Sequence, residues 1–113
     1  MTKALKMLLL LGIAAHAVAA PPDPTIVNTD EVPWDVGPEE GITLKRFAGA
    51  LARLNIVRWA DGTTAEPHTH ATEQILLVQS GSYRITVEGQ AYLLRAGDLI
   101  ILPSYALHGI EAL

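Results

Sequence analysis

No cysteine occurs among the 113 residues, so the chain has no disulfide, no thiol nucleophile and no site for lipid attachment at a cleaved N-terminus. Basic residues are also few. Eight Lys/Arg stand against twelve Asp/Glu, without any basic cluster, which excludes a phosphate-backbone partner such as nucleic acid. The one apolar run, which ends at Ala15, is well short of the roughly 20 residues that a membrane span requires. No glycine-rich phosphate loop is present, since Gly62, Gly81, Gly89 and Gly97 all read as turn residues. Ser104 lies near His108, yet no Asp follows to orient that imidazole, so a hydrolase triad is not supported. There is no internal repeat.

What remains divides into three parts. Residues 1–19 place Lys3 and Lys6 ahead of an apolar run and the small-residue stretch Ala17-Val18-Ala19, the layout of a secretory signal peptide. Cleavage is expected after Ala19, giving a secreted or periplasmic protein with no stable membrane span. Loss of two lysines and no acid moves the formal charge from −4 to −6. Residues 20–40 hold five of the seven prolines among scattered acids, and read as an extended arm. Trp34 is its exception, expected to pin the arm onto the rest of the chain. Residues 41–113 form the folded part, near the lower size limit for a domain without staples.

The folded part reads as all-β. "GITLKRFAG" and "LARLNIVRW" are β-competent runs, although "ITLKRFAGALARL" also fits an amphipathic helix. In the second run Leu54, Ile56 and Arg58 share a face. Asp61-Gly62 and Ser80-Gly81 mark turns around "QILLVQ". In "SYRITVE", Tyr83, Ile85 and Val87 alternate with Arg84, Thr86 and Glu88, and the turn at Glu88-Gly89-Gln90 leads back into "AYLLR" as a hairpin. Ala96-Gly97-Asp98 then precedes "LIILP". Short strands between glycine-marked turns predict a sandwich or barrel.

Beyond the first nineteen residues only three histidines remain: His68, His70 and His108. The first two stand one residue apart in "PHTHATEQILLVQSG". On a strand they would point to the same side, which begins a divalent-metal site. A His-x-His in a solvated turn carries no such meaning by itself.

The surroundings supply that meaning. Gly62, five residues, His68-Thr69-His70, three residues, Gln74, six residues and Gly81 follow the spacing of the first cupin motif, with Gln where Glu is usual. Gly97, Pro103 and His108 match the second motif, whereas Tyr105 and Ala112 depart from its Gly and Asn. The segment from Gly62 to His108 therefore resembles a cupin. The resemblance implies a jelly-roll β-barrel whose interior brings together His68, His70, Gln74 and His108 as ligands of a divalent transition metal: Mn, Fe, Co, Ni or Zn. Gln74 is preferred to Glu73 because it shares the face of Leu76 and Val78; Glu73 then serves as a rim charge or supports a ligand. An amide contributes no charge, so such a site should bind metal more weakly than one with Glu, and favour anionic small molecules. A Tyr at position 105 would be strained in the positive-φ conformation of a Gly, which predicts another loop conformation there.

The pattern is similar to the small cupins that open unsaturated uronates during pectin and alginate breakdown, which coordinate metal through three His and a Gln. This implies metal-assisted tautomerisation of a carboxylated sugar by an isomerase or lyase. In that group a strand after the second-motif His carries an acid, an aromatic and an Arg. Only five residues follow His108, so the barrel is expected to be incomplete at its C-terminus, with an exposed edge through which a homodimer could form. The fold also hosts non-catalytic binding modules and dioxygenases.

Overall fold

The computed structural model describes residues 19–113, so the signal peptide expected over 1–19 lies, Ala19 apart, outside the described residues. Among the described residues, no helix is long and apolar enough to cross a membrane. Within residues 19–113 nine strands follow one another: β1 (Asp35–Val36), β2 (Ile42–Ala48), β3 (Arg53–Trp59), β4 (Thr64–His68), β5 (Gln74–Leu77), β6 (Ser82–Val87), β7 (Gln90–Arg95), β8 (Leu99–Leu102) and β9 (His108–Ala112). They form three antiparallel sheets, β1-β2-β3, β4-β9-β6-β7 and β5-β8. The all-β expectation is met, and the sheets are not joined by hydrogen bonds into a closed barrel.

The helical alternative for residues 42–54 is not taken. β2 and β3 pair over seven residues each, from Ile42↔Trp59 to Ala48↔Arg53, around a turn in which Gly49 N–H donates to Ala52 O at 2.8 Å. Glycine is a poor helix residue, and the long cross-strand register outweighs the local helical spacing. The β6–β7 turn is the two-residue hairpin that Glu88-Gly89 announced. Both residues have positive φ, 47° and 82°, which matches the right-handed twist of the flanking strands.

The core follows the alternation of β6. Ile85 is buried with Val78 and Leu94, and Leu76, Tyr83, Val87, Ile100 and Ile110 pack around them. Trp59 at the end of β3 meets Tyr83 edge-on, with ring centroids 6.1 Å apart, and so ties the hairpin sheet to the core. Burial, with the nearby Asp61 carboxylate adding to it, pushes the Tyr83 phenol above its ordinary pKa.

The arm is anchored rather than free. A short 3-10 turn at Thr29–Glu31 is capped by the Asn28 side chain, which accepts from Asp30 N–H at 3.1 Å. Lys45 on β2 is buried and donates from Nζ to Thr29 O at 2.6 Å. Trp34 lies against two cations, with Arg58 Cζ 3.8 Å and Lys45 Nζ 4.8 Å from its ring centroid. The ring quadrupole attracts both, and covering Lys45 strengthens the contact. A Trp34→Ala variant is expected to lose about 1–2 kcal/mol in denaturant unfolding and to expose the arm to proteolysis. Unchanged stability and unchanged cleavage would show that the ring holds nothing.

Candidate metal centre

Two neighbouring strands place the histidines. His68 ends β4 and His108 begins β9, and the two are direct cross-strand partners. β4 carries a register shift between Ala65 and His68, around Pro67, which cannot donate to the ladder. β9 approaches this bulge closely because residue 109 is glycine. A Cβ there would stand 3.3 Å from Ala65 O and 3.5 Å from the Pro67 ring. His70 lies beyond β4, in the following loop, so strand parity is not what directs it.

The three rings nevertheless converge. Ring centroids are 4.5 Å apart for His68–His108, 4.9 Å for His70–His108 and 5.7 Å for His68–His70. One nitrogen from each falls within 4.8 Å of the others. Burial is graded: His108 is buried, His70 half-buried and His68 exposed, so the group runs from the interior to the surface.

Hydrogen bonding fixes which nitrogens are free. Each Nδ1 meets a backbone carbonyl two residues away: His68 with Glu66 O at 2.8 Å, His70 with Thr72 O at 3.1 Å, and His108 with Ala106 O at 2.9 Å. A carbonyl can only accept, so each Nδ1 is the donor, and in the neutral form of each ring the lone pair lies on Nε2. This is the tautomer and the support that metal-binding histidines need. Among these nitrogens the deepest has no other partner, and one further buried acceptor on β5 is likewise unpaired. His108 Nε2 and Gln74 Oε1 have no hydrogen-bond partner, an arrangement that costs about 1–3 kcal/mol each unless something else satisfies them. Three imidazoles, one of them with a buried and unpartnered Nε2, fit a divalent cation of the first transition row.

The expected rival falls elsewhere. Glu73 is exposed, while Gln74 turns inward with Leu76 and Val78, as alternation along β5 predicts. Glu111, the first acid after His108, pairs with Arg84 on the outer face of the four-stranded sheet. Among the described residues no Asp or Glu joins the histidine group.

Tyr105 overturns the expectation that its loop takes another conformation. Its φ is 62°, as a glycine's would be there, and its side chain is exposed. The backbone explains it: Tyr105 N–H donates to His70 O at 2.8 Å and ties the Pro103–His108 loop to the loop of His70. A left-handed Tyr costs about 1–2 kcal/mol. Glu88 supports the same loop from the other side and was invisible to motif reasoning. Its N–H donates to Leu107 O at 2.9 Å and its Oε1 accepts from Leu107 N–H at 2.7 Å, beside His108.

Comparison with known proteins agrees with this fold. The family model for the cupin domain matches residues 55–113. The chain is 31% identical over 87 residues to the pectin degradation protein KdgF of Dickeya dadantii (strain 3937), covering 74% of this chain and 77% of that protein. The solved structure of KdgF from Halomonas sp. superposes with a TM-score of 0.73 at 28% identity, over 80% of this chain and 84% of that one. The polyketide cyclase RemF of Streptomyces resistomycificus shares the fold, with a TM-score of 0.69 at 19% identity over 80% of this chain and 70% of its own.

Proposed function

The chain belongs to the cupin family, and we propose that it is an exported metal-binding cupin that acts as an isomerase or lyase on a small carboxylated sugar. The observation that carries the metal is the set of three Nε2 lone pairs freed by three Nδ1–carbonyl bonds. The likeness to the pectin degradation protein KdgF supports the substrate class. The Lys-then-apolar segment at the N-terminus supports export to a secreted or periplasmic location.

His68, His70 and His108 would hold the ion, with Gln74 Oε1 as fourth ligand. A bound divalent cation would supply Lewis-acid polarisation of a sugar oxygen. The protein's own part is positioning and charge. Carbonyls of Glu66, Thr72 and Ala106 hold the rings in one tautomer, and the loop bonds of Tyr105 and Glu88 fix their separation. All four ligands are neutral, so the site retains the full charge of the cation and attracts a carboxylate more strongly than a Glu-containing site would. Exposed His68 marks the open side from which substrate would enter.

Incubation of the metal-loaded protein with an unsaturated uronate tests the reading. The double bond conjugated with the carboxylate absorbs in the ultraviolet, and ring opening to the keto form removes that absorbance. Metal-dependent loss of absorbance is expected, and it should vanish in His68→Ala. A rate equal to that of buffer with full metal loading would leave a binding module. Oxygen consumption instead would mark a dioxygenase.

A further inference from the structure

Tyr105 carries two costs that packing within the chain does not offset. Its backbone is left-handed at φ 62°, a conformation that a glycine adopts without strain. Its side chain is 70% exposed, the most exposed aromatic of the chain. The other rings have structural work: Trp34 holds the arm, and Trp59 meets Tyr83 edge-on. What distinguishes Tyr105 is its place. Its N–H bonds His70 O, and the carbonyl of the next residue, Ala106, supports His108 Nδ1. The residue therefore stands where the two ligand-bearing loops meet. Both loops are open to solvent, since Thr69 and Thr72 in one and Leu107 in the other are exposed. Backbone strain of this kind collects at groups that meet a ligand.

Building on the function proposed above, we propose that Tyr105 is a specificity-determining residue whose exposed ring forms a flat wall beside the histidine group and stacks on the planar end of an unsaturated uronate. In that sugar the ring double bond is conjugated with the carboxylate, so the carbons around it and the carboxylate share one plane. A saturated uronate carries the same charge, but its ring is puckered and a tetrahedral carbon bears the carboxylate. The attraction of a bound cation for the carboxylate treats the two alike. An aromatic face does not. A flat conjugated group stacks offset against it over its whole area, whereas a puckered ring touches it at fewer atoms. Stacking of this kind changes affinity by about 2- to 10-fold. The flat ring does this work and the phenol oxygen is dispensable, so the role survives in phenylalanine and is lost in glycine.

Loss of ultraviolet absorbance with the metal-loaded full chain gives KM for an unsaturated uronate, and competition by galacturonate gives the inhibition constant of a saturated one. Tyr105→Gly should raise KM about 5- to 10-fold while the galacturonate constant stays within about 2-fold of wild type. Tyr105→Phe should match wild type in both. Glycine accepts positive φ and keeps the N–H that bonds His70 O, so metal content serves as the control for an intact loop. Should the glycine loosen the loop and lower metal content, Tyr105→Asn, which tolerates the left-handed conformation, should show the same selective rise in KM. An unchanged KM in a metal-loaded Tyr105→Gly, or equal weakening of both uronates, overturns the proposal. A metal-loaded wild type that turns over no unsaturated uronate is a different result: it overturns the function proposed above, and the role of Tyr105 with it.

Discussion

A His108→Ala variant is expected to lose metal affinity by more than about 100-fold and to destabilise the metal-free fold by about 2–3 kcal/mol. The two effects have separate origins. His108 is buried between β4 and β6, where it pairs with His68 and Val87, so truncation leaves a cavity and strips the Ala106 carbonyl of its partner. Its Nε2, which has no partner in the protein, is the deepest of the three candidate donors. His68→Ala separates the two contributions, because His68 is exposed. That variant should lose metal affinity to a similar degree while the metal-free protein unfolds within about 0.5 kcal/mol of wild type. Denaturant titrations with and without a divalent metal read both quantities at once. Equal metal-induced stabilisation in wild type and both variants would place the metal elsewhere.

Gln74 gives the second large effect, in which stability and binding should move in opposite directions. Its Oε1 is buried without a partner, so Gln74→Leu removes an uncompensated polar group and should stabilise the metal-free protein by about 1 kcal/mol. The same change removes a ligand and should weaken metal binding about 10–100-fold. Gln74→Glu tests charge alone. A carboxylate in place of the amide should tighten the metal and weaken an anionic ligand, each by about 10-fold or more. Isothermal titration of metal, and then of a uronate onto the loaded protein, distinguishes these outcomes. If Gln74→Leu binds metal as wild type does, Gln74 is not a ligand; if Gln74→Glu binds the uronate equally well, the argument from uncompensated charge is wrong.

How much of this was legible in the sequence depends on how local each signal is. The alternation of Tyr83, Ile85 and Val87 places β6, and that of Gln74, Leu76 and Val78 decides correctly that Gln74 turns inward and Glu73 outward. Two strands gave little warning. β4 contains Pro67, which argues against a strand, and it survives at the edge of its sheet with a bulge. β9 is five residues with a glycine and a glutamate, and it is held in the sheet interior by β4 and β6, which are distant in sequence. Motif spacing found the histidines without strand parity, since His70 is not on a strand at all. What fixes their tautomer is main-chain carbonyls, which any sequence possesses, so no pattern of residue types could reveal them. Tyr105 shows the same limit. Its side chain argues against positive φ, and a single backbone hydrogen bond to His70 accompanies the conformation it takes.

The central claim is that three imidazoles with free Nε2 atoms form one metal site. Equilibrium dialysis against a divalent transition metal, followed by elemental analysis of the protein, tests it most directly. Wild type should retain one ion per chain, and His68→Ala and His70→Ala, both folded, should retain none. Equal metal content in wild type and variants, whether substantial or negligible, would contradict the account.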